Sequence, residues 1–99
     1  MSEQFFVYIM ANKPRGDLYV GITNDLVRRT YEHRTSADPN SHTSRYKIKR
    51  LVYYEVHQNP TEAIRREKRL KDWDRDWKLV LVEGMNPKWD DLWSSIAKP

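Results

Sequence analysis

The sequence predicts an α/β (α+β) domain, a small three-stranded antiparallel sheet flanked by helices, on three observations. Aromatic and β-branched runs at Phe5 to Met10 and Leu18 to Ile22 bracket a turn containing Pro14 and Gly16, and a third run spans Leu51 to Val56. Segments free of proline and glycine, each preceded by a capping residue, follow the second and third runs. The 99 residues fit one domain, 1–99, with a core small enough that every buried polar group matters.

The first two runs read as a hairpin whose loop, Ala11 to Asp17, carries a basic Lys13-Pro14-Arg15 step. Tyr8 and Tyr19 then lie on neighbouring strands, and Gly21 marks a close backbone approach or a bend. Asn24 is the expected N-cap of a first helix of about three turns from Leu26 to Arg34, with Asp25 at its positive end. Arg29 and His33, four apart, share one of its faces. Thr35 to Ser44 reads as an irregular loop. The third strand is entered from Arg45-Tyr46-Lys47-Ile48-Lys49-Arg50.

Asn59-Pro60-Thr61-Glu62 has the form of a helix start, with Glu62 placed to close a capping box, and the helix runs to about Trp73. Its wheel groups Ala63, Ile64, Glu67 and Leu70, which puts one carboxylate on an inward stripe. Trp77 to Glu83 is readable as strand or buried helix, and helix is the expectation. After the break at Gly84 to Pro87, Lys88 to Ala97 reads as a terminal helix with Trp89, Leu92, Trp93 and Ile96 on one face.

Lysine and arginine number 18 against 14 acids, and the pI is near 9.4. The excess is modest, but basic residues gather beside tyrosines, as a nucleic-acid surface requires: cations meet phosphates and rings stack on bases. Lys13, Arg15, Arg45, Lys47, Lys49 and Arg50 are the candidate contacts, and a solvated charged face is the plain alternative. Cysteine is absent, which excludes disulfides, thiolate metal sites and thiol nucleophiles and makes the reducing cytoplasm the default location. No two histidines have zinc spacing, so His42 and His57 read as ordinary. The N-terminus, Met1 to Gln4, has no basic leader, and no membrane-length apolar run is present.

The ordered set Tyr8, Tyr19-Val20-Gly21, Arg29, His33 and Glu67 resembles the GIY-YIG nuclease superfamily, in particular its small single-domain members. Val7-Tyr8-Ile9 stands at the first motif, with Phe6 where the name-giving glycine would lie, and Tyr19-Val20-Gly21 stands at the second. The steps from Tyr19 to Arg29 and from Arg29 to His33 match the family pattern. Leu51 to Glu55, Glu62 to Lys68 and Asn86-Pro87-Lys88-Trp89 look like its later blocks, so the resemblance reaches most of the chain.

The resemblance implies hydrolysis of a phosphodiester by in-line displacement with one divalent cation, Mg2+ or Mn2+. It implies Glu67 as metal ligand, consistent with the habit of magnesium of keeping most of its water. Arg29 would neutralise the non-bridging oxygens and Tyr8 would orient or deprotonate the attacking water. A tyrosine near pKa 10 is a poor base, so neighbouring cations would have to lower that value for Tyr8 to deprotonate water. Tyr19 and His33 complete the set, His33 relaying a proton if it titrates near neutrality, with the Tyr8 and His33 roles exchangeable. Asn86 is the candidate for the late polar asparagine of such sites.

Each residue also has a structural reading. Strand tyrosines commonly pack, Arg29 and His33 could be ordinary helix residues, and Glu67 could pair with Arg66, Lys68 or Lys71. The expected function is a DNA endonuclease of low sequence specificity, in repair or processing. One rival is a nucleic-acid-binding module or adaptor that cuts nothing. The other is an interaction domain in which Trp89 and Trp93 dock a second copy, giving a homodimer, or a larger complex.

Overall fold

β1 (Phe5–Ala11) lies between β2 (Leu18–Thr23) and β3 (Arg50–His57) in the computed structural model, which describes residues 3–97. Both pairings are antiparallel. Met1 and Ser2 lie outside the described residues. A central strand is covered on both faces, which is why Val7 to Ala11 are all buried rather than alternating with solvent.

The two faces differ in kind. Val7, Ile9 and Ala11 join Val20, Val52, Ala63, Leu70 and Val82 in one apolar cluster beneath α3 (Pro60–Asp72) and α4 (Arg75–Met85). Tyr8 and Met10 point the other way, toward Leu26 of α1 (Leu26–Arg34), Ile48 and Leu51. The β1–β3 register shifts between Ile9 and Met10, leaving an extra residue on β3. That bulge lets consecutive Val52 and Tyr53 enter the same cluster, while Leu51 and Tyr54 serve the other face.

Helix ends follow side-chain chemistry. Asp25, not Asn24, caps α1, its carboxylate accepting the Arg28 N–H at 3.1 Å, and α1 spans Leu26 to Arg34 as expected. Asn59 caps α3 as expected, its Oδ1 taking the Thr61 and Glu62 N–H groups at 2.8 and 3.3 Å. Among the described residues no hydrogen bond from the Glu62 side chain closes the box, so Asn59 alone starts the helix. Ala63 and Leu70 are buried, but Ile64 is 48% exposed, so the inward stripe is narrower than the wheel suggested.

Residues 75–85 are helical, α4, as expected. Two further expectations are corrected. The segment read as a loop from Thr35 to Ser44 contains the start of a one-turn helix, α2 (His42–Arg45), which Ser41 caps through the Ser44 N–H. The terminal helix shrinks to α5 (Trp93–Ile96), because Trp89 has φ of 58° in the turn that follows α4. Buried Asn86 holds that turn: its Nδ2 donates to the carbonyls of Val52 and Asp90 at 3.0 and 2.8 Å, and its Oδ1 accepts the Asp90 N–H. None of the described helices is long and apolar enough to cross a membrane.

Candidate active site

Strand register brings the two tyrosines together. Tyr8 faces Gly21 across the β1–β2 pair and Tyr19 faces Met10, so both rings stand on the α1 side, centroids 6.3 Å apart. A Cβ on Gly21 would lie 2.5 Å from both Cζ and Oη of Tyr8, closer than real side chains approach. Glycine is therefore required at position 21 for space, without any unusual φ.

α1 delivers the basic residues. His33 is buried against both rings, 5.9 Å from Tyr8 and 5.3 Å from Tyr19 between centroids. Its Nε2 hydrogen-bonds the Tyr8 hydroxyl at 3.0 Å and its Nδ1 the Thr43 hydroxyl at 3.0 Å, and Thr43 continues to Ser41 Oγ at 3.2 Å. The four side chains form one chain running from the sheet to the α2 cap. With a neutral imidazole only one ring nitrogen carries a proton, so the other end of the ring accepts.

Burial, aided by the charge of Arg29, holds His33 down at about 4, and burial pushes the Tyr8 hydroxyl up to about 12 despite the opposing Arg29 contact. Neither value meets the condition that the sequence reading attached to a base or relay role. Tyr8 is not made a ready base by its cation, and His33 does not titrate near neutrality. The Arg29 guanidinium is held above its usual range, first by hydrogen bonding to Tyr8, with Glu32 and Tyr19 adding and burial opposing. Glu32 Oε1 lies 3.3 Å from Arg29 Nη1.

These groups open onto a cavity of about 360 Å³ walled by Tyr19, Arg29, Glu32, His33, His42 and Thr43. It joins one fixed cation, hydroxyl and imidazole donors and acceptors, and two carboxylates, Glu32 and Asp38, at its rim. Such a lining suits a phosphate oxygen cluster. Glu32, Ser41 and Thr43 went unread in the sequence, and His42, set aside there as ordinary, lines the wall. Only Glu32 left a signal, at i+3 from Arg29; Ser41 and Thr43 sit in a segment without periodicity.

The other expected residues are elsewhere. Glu67 stands on α3, which packs against β2 and β1 on the opposite face of the sheet. Its carboxylate is mostly covered and meets Lys71 Nζ at 3.0 Å, and among the described residues no hydrogen bond joins it to Tyr8 or Tyr19. Asn86 serves the turn described above. Arg15 is tied to Glu83 through two contacts, 3.0 and 2.7 Å, and Glu83 also accepts the Trp89 indole N–H, which with Arg15 keeps its carboxyl below the ordinary range. Arg50 donates to the Trp89 carbonyl at 2.8 Å. Lys13, Arg45, Lys47 and Lys49 are exposed.

Among the described residues no group of three or more histidines and carboxylates could enclose a metal. One mostly covered carboxylate such as Glu67 fits a hydrated Mg2+, which keeps much of its water.

Residues 4–80 match the model of the GIY-YIG catalytic domain. A UPF0213 protein of Desulfotalea psychrophila is 37% identical over 80 residues, covering 81% of this chain and 72% of that one. A UPF0213 protein of Staphylococcus saprophyticus is 33% identical, covering 81% and 95%. The solution NMR structure of a UPF0213 protein from Bacillus halodurans superposes with a TM-score of 0.56 at 26% identity, covering 97% and 99%.

Proposed function

The chain belongs to the GIY-YIG family, and from that premise we propose that it is a divalent-metal-dependent endonuclease hydrolysing phosphodiester bonds in DNA with low sequence specificity, in DNA repair or processing. One observation carries the reading: His33 bonds the Tyr8 hydroxyl and the Thr43 hydroxyl at 3.0 Å each, beside a cavity whose wall also holds Tyr19 and Arg29.

Arg29 receives the non-bridging oxygens of the phosphate, a permanent charge aimed where negative charge grows. Tyr8 stays protonated at neutral pH and serves as a positioned hydroxyl. It can accept a hydrogen bond from the attacking water while its own O–H stays hydrogen-bonded to His33 Nε2, so it orients the water and keeps its proton. Thr43 orients the imidazole through Nδ1. Tyr19 lines the same wall and completes the phosphate contacts. Glu67 is the residue that would hold Mg2+ or Mn2+. When bound, the ion supplies charge stabilisation at the phosphate and the leaving oxygen.

Incubation of supercoiled plasmid with the protein in Mg2+ or Mn2+ tests this. The wild type is expected to nick, while Arg29→Ala and Glu67→Ala keep gel-shift binding and lose at least about a hundredfold in cleavage. A wild type that shifts plasmid, branched and single-stranded substrates but cuts none would replace this reading with a binding module.

A further inference from the structure

α1 borders a second hollow, of about 470 Å³, through Tyr31 and Arg34. Its composition differs from that of the first. Tyr31 is 57% exposed and stands 6.3 Å from Trp93 between ring centroids, the planes tilted by 34°. Trp93 is fixed from below: Asp91 Oδ1 accepts the N–H of Trp93 at 3.1 Å and of Leu51 at 3.3 Å, its other oxygen pairs with Arg34, and the Arg34 guanidinium covers the indole at 5.2 Å. The only carboxylate in the lining is thus neutralised. Across the hollow stand Lys47 and Lys49, both exposed and, among the described residues, paired with no carboxylate. The fully buried Ile48 between them anchors the segment and keeps both lysines on the surface.

An exposed ring beside an immobilised ring, faced by two free cations, matches the chemistry of single-stranded nucleic acid. Bases stack on aromatic faces while the backbone follows the cations. Paired bases in a duplex already stack on each other and offer no free face to Tyr31. We propose that this hollow binds unpaired nucleotides of the DNA, Tyr31 and Trp93 carrying bases and Lys47 and Lys49 carrying phosphates. It lies along the same helix as Arg29 and His33, so the substrate is DNA with a single-stranded segment next to the cut. The proposal rests on the reading of the chain as a DNA-cutting domain and narrows its substrate.

Binding without divalent cation tests it, by fluorescence anisotropy with a single strand of about twelve nucleotides, a duplex bearing a single-stranded overhang, and a blunt duplex. Tyr31→Ala, at an exposed position, is expected to weaken the first two about tenfold and the blunt duplex less than about twofold, with Tyr31→Trp restoring the difference. Lys47→Glu with Lys49→Glu is expected to weaken overhang binding and flatten its salt dependence. A 2-aminopurine in the overhang should be quenched by the wild type and recover in Tyr31→Ala. Equal affinities for overhang and blunt duplex, or a Tyr31→Ala variant that binds the overhang as the wild type does, would overturn the site. Since nothing is cut in this assay, a chain lacking nuclease activity leaves its result unchanged; a chain that nicks plasmid yet ignores Tyr31→Ala keeps its activity and loses this site.

Discussion

The two faces of the sheet are built from alternate residues of one strand and do opposite work. Under α3 and α4, Val7, Ile9 and Ala11 bury only hydrocarbon. Under α1, Tyr8 is just as buried but carries a hydroxyl, and it is joined by buried His33 and Thr43. Burying polar groups is costly unless they are hydrogen-bonded, so Tyr8 and His33 need a specific network, whereas Val7, Ile9 and Ala11 need only volume. The apolar face supplies stability and the polar face supplies chemistry.

The difference can be broken from either side. Ile9→Ala, fully buried on the apolar face, is expected to lower the unfolding free energy by about 2–5 kcal/mol in urea titration while cleavage per folded molecule is unchanged. Gly21→Ala acts on the polar face through volume: with a Cβ 2.5 Å from the Tyr8 ring, a loss of about 1–3 kcal/mol accompanied by loss of nicking is expected. An alanine variant that nicks normally would show that Tyr8 does not need its present place.

Tyr8→Phe keeps the ring and removes only the hydroxyl, leaving His33 Nε2 unpaired. About 1–3 kcal/mol of stability should go, together with most of the nicking, so the ratio of the two effects separates this face from the other. Acid acts on His33 alone of these groups. Its folded value of about 4 lies below the ordinary 6.5, so between those values the unfolded chain binds more protons and stability falls as pH falls. Thermal denaturation from pH 7 to 4 should show this decline, and His33→Gln should flatten it. The smallest effect belongs to Lys71→Ala: its pair with Glu67 has a half-exposed lysine and is worth a few tenths of a kcal/mol, measurable by denaturation against wild type.

The polar face was only partly legible. Tyr8, Tyr19, Arg29 and His33 carry type and spacing that survive in a linear chain, and they do meet in space. Thr43 and Ser41 carry no such mark, since a hydroxyl in a polar segment looks like solvent-facing loop until a helix turn aims it at an imidazole. Asn86 misled because an asparagine fits a site and a turn equally well by type, and its three hydrogen bonds belong to the turn. The terminal helix misled for a similar reason: the spacing of Trp89, Leu92, Trp93 and Ile96 suits one helix face, but Trp89 takes a left-handed backbone and sends its indole N–H to Glu83.

What the sequence determined by itself was local and periodic: three strands, the hairpin, the capped helix after Asn59, and the identity of the family. Those follow from propensity, alternation and capping, which act between near neighbours. What only the tertiary structure decided was which groups share an environment. It gave Tyr8 and His33 their shifted proton affinities through burial, placed Glu32 beside Arg29 at the cavity, and put Glu67 on the helix of the other face. Desolvation and contact depend on residues far apart in the chain, and no spacing rule encodes them.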